Sequence, residues 1–294
     1  MSFRRAFAAA VLPGLAVVLA CFAGWVPTAR DNPTYFVPLR AHLLRVFAGE
    51  TSAWLNLQVG CGEPFFANPQ SALLYPPAWG ALVLSPERAV GVEVGLHLML
   101  LALGVARLSR RLGATPAGSL AAAWGAALSG PVLSAAGMLN NLDTAAWLPW
   151  VWEAALSGRF AILALTVAGS FLAAEPVLAL FGAAGAVLLV PRWPTVRAAL
   201  LGFALCAVQA LPMAFWIAGG YRGPDKPLES GSLGGVSLAE LPALAVPGFP
   251  LPAVEVRFLP IISLPLWLLL ALGSLRREET PRLRLACVGA MFAL

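Results

Sequence analysis

Two clusters of side chains in this chain have types and spacings that can do chemistry. The first lies between residues 28 and 88. Asp31 follows an apolar run directly, and a carboxylate at that level is costly unless it faces a cavity or a partner. Capping of the next helix, or pairing with Arg30, would also account for it. Arg40 and Arg45 flank an apolar stripe of Leu39, Leu43, Val46 and Phe47, the pattern of an amphipathic helix lying on a membrane surface. A guanidinium fork there matches a lipid phosphate, and snorkelling from an apolar face places it equally well. Trp54, Asn56, Glu63, Asn68, Gln70 and Tyr75 follow within a stretch punctuated by Pro64, Pro69, Pro76 and Pro77. Proline fixes φ and removes a donor, so such a segment is ordered rather than floppy. Its aromatics, with Phe65 and Phe66, suit stacking on a flat ligand or an interfacial belt. The second cluster, "YRGPDKPLES", offers Arg222 and Lys226 to an anion, or forms a mobile polar loop.

Other polar groups are isolated in apolar surroundings. Glu93 and His97 stand one helical turn apart, as a structural hydrogen-bonded pair or a pair that handles protons. Asp143 and Glu175 fall at short turns, where they line a cavity or mark an interface, and Glu153 with Arg159 reads as an inner-interface charge.

The elements that must position these residues are apolar helices. The 294 residues are 60% hydrophobic and only 11% charged, with a mean hydropathy of +0.81. A soluble domain carries about 25% charged residues, so this chain has too little polar surface to cover itself. Its apolar runs are continuous rather than alternating, which argues against a β-barrel. The expectation is an all-α polytopic transmembrane bundle with spans near 6–27, 89–106, 117–136, 144–157, 160–174, 176–190, 196–218 and 259–275. A ninth begins near 285, making eight or nine spans in one domain over 1–294. The first apolar run is too long for a signal peptide after "MSFRR", so it reads as an uncleaved span. Because the last run stops after about ten residues, the chain is expected to be an N-terminal fragment of a longer protein.

Charge sets the orientation. Arg4, Arg5, Arg107, Arg110, Arg111, Arg159, Arg192, Arg197, Arg276, Arg277, Arg282 and Arg284, twelve of the 19 basic residues, fall in short connections on one side. The positive-inside rule therefore places the N-terminus in the cytoplasm. Two long loops, 28–88 and 219–258, then face outward, where a membrane protein keeps its chemistry. Net charge of +5 is a topology signal, and nothing points to nucleic acid. No GxxxxGK[ST] or GxGxxG occurs, so a nucleotide donor has no visible site. Cys21, Cys61, Cys206 and Cys287 show neither disulfide nor zinc spacing.

Within the first loop, Gly62-Glu63-Pro64-Phe65, Ala67-Asn68-Pro69-Gln70-Ser71 and Tyr75-Pro76 resemble the first outer loop of the bacterial YfhO-like membrane proteins, which are similar to GT-C glycosyltransferases. Asp31, Gly49, Trp54 and Asn56 occupy the matching places before it. Further similarities follow in order: "NNLDTAAWLPWVWEA", "AEPVLAL" without the family's Gln, and "AVQALPMAFWIAGGYRG" with Gln209, Pro212, Arg222 and Gly223. Together they cover about residues 20 to 260. Leu55 intervenes between Trp54 and Asn56, and Ala53 stands where the family has proline.

The resemblance implies an integral membrane enzyme of the inner (plasma) membrane. It would transfer a hexose-sized sugar from a polyprenyl-phosphate carrier to an envelope glycan or lipid acceptor on the extracytoplasmic face. Asp31 is, by that resemblance, the general base. Arg40, Trp54, Asn56, Glu63, Asn68, Gln70, Tyr75 and Arg222 are the candidate substrate contacts, with the proline-rich stretch as a lid over a membrane-surface pocket. No cofactor is evident, and a divalent cation at Asp31 is compatible with the motif. The competing expectations are a transporter or flippase of a lipid-linked substrate, whose decisive groups would be Glu93 and His97 near the midplane, and a non-catalytic membrane scaffold.

Overall fold

The computed structural model describes residues 1–59 and 62–219, and these are mostly helical. The expected spans at 259–275 and from 285, all of the second outer loop (219–258) but its first residue, Arg222 and Lys226 lie outside the described residues, as does Cys61.

Helices α1 (Phe3–Ala10) and α2 (Leu12–Phe22) form one 20-residue apolar rod. Helix α3 (Val37–Phe47) belongs to the first loop, with a π-turn over Asn32–Phe36 leading into it. A two-residue hairpin follows, β1 (Leu55–Asn56) antiparallel to β2 (Glu63–Pro64), with Asn56 opposite Glu63. Short 3₁₀ turns at Pro69–Ser71 and Pro76–Leu82 carry the chain into α4 (Pro86–Arg111). Then come α5 (Pro116–Ala127), α6 (Gly130–Ala135), α7 (Leu139–Leu156), α8 (Phe160–Leu172), α9 (Pro176–Leu189), α10 (Trp193–Leu205) and α11 (Ala207–Gly219).

Helix α4 is the axis of the fold. Ser85 Oγ accepts the Arg88 amide at its start, Glu87 sits in the first turn, and Arg110 and Arg111 close the last, each in favourable register with the helix dipole. Its two faces do different work. Gly91 and Gly95 let α2 approach so closely that a Cβ on Gly91 would lie 2.4 Å from Cys21 Sγ, and one on Gly95 2.6 Å from Val18. Small residues four apart are how helices pack in lipid, where apolar burial drives no association. Glu93 and His97 lie about 200° round from those glycines, turned toward α3, α7 and the loop.

The expected span list is refined by breaks the apolar runs do not reveal. By length and composition, two helices among the described residues, Phe3–Phe22 and Pro86–Arg111, are long and apolar enough to cross a membrane, or three if α10 and α11 count as one. That pair is bent by 74° at Cys206. The expected span 117–136 is two helices of 12 and 6 residues, broken before Gly130-Pro131. The one expected at 144–157 starts earlier, at Leu139, and carries Pro149 inside it. Helices α8 and α9 have 13 and 14 residues, roughly 20 Å each, against a bilayer core of about 30 Å. The described residues therefore do not supply eight or nine full-length spans.

The first loop is a folded layer. Phe36, Leu39, Leu43, Phe65, Leu73 and Tyr75 share one core with Val90, Val94 and Leu98 of α4 and Leu139 and Leu142 of α7. The stripe expected to rest on lipid thus faces protein at Leu39 and Leu43, while Phe47 remains half-exposed against Trp79.

Candidate functional site

The loop places its polar residues in two groups. The outer group begins at Asp31. Its backbone is fixed at both ends: the Asp31 amide donates to Gly137 O at 3.1 Å, and its carbonyl accepts the amides of Tyr35 and Phe36 at 2.9 and 3.1 Å. Next to it, Asn32 Nδ2 donates to Ala136 O at 2.9 Å. Arg30 takes a left-handed φ of 52° and packs on Gly137, where a Cβ would come within 3.0 Å of its side chain. The Asp31 carboxylate makes no helix cap and is exposed.

Tyr35, one turn on, is reached from the hairpin side. Asn68 Nδ2 donates to Tyr35 Oη at 3.0 Å and to Glu63 Oε1 at 3.1 Å, and its Oδ1 accepts the Gln70 amide at 2.9 Å. Burial pushes the Tyr35 hydroxyl up, the Asn68 hydrogen bond opposes this, and the Glu63 and Asp31 carboxylates add to it. Tyr35 therefore feels both acids, and Asp31, Tyr35, Glu63 and Asn68 are one electrostatic group. Burial likewise raises Glu63, partly offset by Asn68. Asn56 is buried and its Oδ1 accepts the Gln58 amide at 3.0 Å, holding the hairpin turn. Trp54 stands 69% exposed, tilted against Phe66 with ring centroids 4.8 Å apart. Gln70 is half-buried beside this group.

The inner group is enclosed. Arg40, 1% exposed, makes a two-pronged contact with Glu93: Nε to Oε2 at 2.9 Å and Nη2 to Oε1 at 2.8 Å, with Nη1 on Ser71 O at 3.3 Å. His97 Nδ1 lies 2.7 Å from Glu93 O and 2.9 Å from Asp143 Oδ1. His97 Nε2 meets Tyr75 Oη at 2.6 Å, and Trp147 Nε1 donates to the same oxygen at 2.8 Å. Burial pushes the Tyr75 hydroxyl up. Glu93 and His97 sit about 10 and 16 Å along a helix about 39 Å long, so the loop delivers Tyr75 deep among the helices. The proline-rich stretch is a plug there, with Ser71, Ala72, Leu73 and Tyr75 all buried, rather than a lid.

A third contact set clips the loop to α11 and the turn before α9 to α7. Gln209 Nε2 of α11 donates to Phe66 O, Asn140 Nδ2 donates to Glu175 Oε2 at 2.8 Å, and the Glu175 amide donates to Thr144 Oγ1 at 3.1 Å. Burial raises Glu175, eased by Asn140. The preceding Ala174 holds φ at 88°, a strained value for a residue with a Cβ. On the opposite end of the bundle Glu153 pairs with Arg107 at 3.2 Å, a different partner from the Arg159 read in the sequence.

The candidate residues therefore divide. Glu63 and Asn68 bond each other, Asn68 being buried and tied also to the Gln70 amide. Asp31 is linked to them through Tyr35. Trp54 packs on Phe66, whereas Arg40 and Tyr75 are committed to the inner network. Sequence reasoning missed Tyr35 and Trp147. Trp147 had a signal: Asp143 and Trp147 stand four apart on α7, as Glu93 and His97 do on α4. Among the described residues no group of three His, Cys, Asp or Glu side chains is arranged to hold a metal ion. Comparison of the chain with models of protein families, with curated proteins and with solved structures gave no match.

Proposed function

We propose that this chain is a membrane glycosyltransferase-like protein that moves a sugar from a polyprenyl-phosphate carrier to an envelope glycan or lipid acceptor on the extracytoplasmic face. The observation that supports this most is the outer group itself. An exposed carboxylate, Asp31, is held on a doubly anchored backbone, beside a tyrosine, a second carboxyl and an amide that already bind one another.

In this reading Asp31 takes the proton of an acceptor hydroxyl as its oxygen bonds the anomeric carbon. The bond from that carbon to the carrier phosphate breaks, and polyprenyl phosphate leaves with the electron pair. A base in hydrogen-bond reach of the hydroxyl contributes about 10² to 10⁴ in rate. Asn68, Gln70 and Glu63 offer hydrogen bonds to sugar hydroxyls, and Trp54 an exposed flat face. Arg222 is kept as a contact to the carrier phosphate, and a divalent cation would find an exposed carboxylate at Asp31. In this reading the shorter apolar helices also count as crossings, and with the two apolar runs beyond residue 219 the chain has eight or nine, the N-terminus in the cytoplasm and both long loops outside. Arg40 would reach a phosphate only by leaving Glu93.

The test is mass spectrometry of lipid-linked sugars and envelope glycans from cells without the gene, with the full gene, and with Asp31→Asn. A hexose-sized loss restored by wild type and not by Asp31→Asn supports transfer with Asp31 as base. Equal restoration by the variant removes Asp31 from the chemistry and favours carriage of a lipid-linked substrate, or a scaffold role.

A further inference from the structure

The inner network contains more ionisable groups than its enclosure explains. Arg40 and Glu93 neutralise each other. Asp143 and His97 remain, each about 2% exposed or less. His97 Nδ1 faces only acceptors, Glu93 O and Asp143 Oδ1, so it carries a hydrogen. That hydrogen is aimed at Glu93 O, and Asp143 Oδ1 is left buried without a hydrogen bond. On the other side of the ring, Tyr75 Oη already accepts from Trp147 Nε1. Its own hydrogen then has one acceptor at 2.6 Å, His97 Nε2. The imidazole is neutral in this arrangement, and a charged Asp143 would be buried with no hydrogen bond at Oδ1 and, among the described residues, no cation paired with it to offset its charge. The Glu93 carboxylate also repels a charge on Asp143, and two like-charged carboxyls sharing one enclosure favour keeping a proton between them.

We propose that Asp143, Glu93 and His97 form a proton-binding site inside the bundle, holding one exchangeable proton on the Asp143 carboxyl that keeps the Tyr75 segment seated on α4 and α7. The groups facing it are Arg40 from α3, Glu93 and His97 from α4, Asp143 and Trp147 from α7, and Ser71 O and Tyr75 from the loop. When the proton leaves, two carboxylates adjoin, and the His97 Nδ1 hydrogen turns from Glu93 O toward Asp143 Oδ1. The ring then no longer sits squarely against Tyr75, and the plug loosens. This site does not depend on the proposed glycosyl transfer.

The test is infrared spectroscopy of the full chain in lipid vesicles, paired with amide exchange over residues 71–78. The wild type is expected to show a carboxylic-acid carbonyl band at neutral pH that disappears on alkalinisation. Exchange over 71–78 should then accelerate at least about tenfold, the loss of one buried hydrogen bond. Asp143→Asn, which keeps a neutral hydrogen-bonding side chain at this position, is expected to lack the band and hold the segment closed throughout. Because the chain has three aspartates, Asp31, Asp143 and Asp225, ¹³C-aspartate labelling in an Asp31→Asn, Asp225→Asn background assigns the band without altering the site. An unshifted band, or none, overturns the proposal, as does loop opening at the same pH in Asp143→Asn.

Discussion

The two polar groups that the first loop helps to build each join carboxyls to a tyrosine and are put to opposite uses. Arg40, Glu93, His97, Asp143 and Tyr75 are at most 2% exposed, and each meets another member of the set. Asp31, in contrast, is exposed on a backbone that is no less fixed. Enclosed charge is committed to holding helices and loop together. Charge left open at the rim, with its geometry set by its neighbours, is what a reaction can use.

Removing one half of the enclosed pair breaks this comparison hardest. Glu93→Ala leaves Arg40 buried without a counter-charge and is expected to cost about 3–5 kcal/mol, read as a lowered unfolding midpoint in detergent. Replacing both, Arg40→Met with Glu93→Met, should recover most of that loss. For the same reason Glu93→Gln is a poor probe of transport, since it disturbs folding first.

At the open group the expectation reverses. Asp31→Asn should lower transfer by about 10² to 10⁴ while stability moves within about 0.5 kcal/mol, checked by assaying both on one preparation. Tyr75→Phe comes next. Trp147 Nε1 and His97 Nε2 lose their shared partner, and a cost of about 1–3 kcal/mol is expected, with thermal unfolding as the readout. The smallest effect should come from Trp54→Ala, whose ring is 69% exposed. Its stability should change by no more than about 0.5 kcal/mol, so any larger fall in transfer would mark it as a contact to substrate.

The helices were legible where apolar runs are long, as in α2 and α4. Their interruptions were not. Hydropathy does not feel the turn before Gly130-Pro131 or the bend at Cys206, because both keep apolar side chains and change only the backbone. Asp31 was legible from its position directly after an apolar run. Its grouping with Tyr35, Glu63 and Asn68 was not, since that depends on a π-turn and on a hairpin pairing Asn56 with Glu63. Arg40 misled for a related reason. Beside an apolar stripe it reads as a surface cation, and its partner Glu93 lies 53 residues away on another helix.

The measurement that bears most directly on the division between the two groups is transfer by purified protein in vesicles, with a polyprenyl-phosphate hexose as donor. Wild type, Asp31→Asn and the Arg40→Met, Glu93→Met pair would be compared after each is shown to be folded. The account predicts that Asp31→Asn loses transfer and that the neutralised pair keeps it. Transfer at the wild-type rate by Asp31→Asn, or its loss in a folded Arg40→Met, Glu93→Met protein, would contradict it.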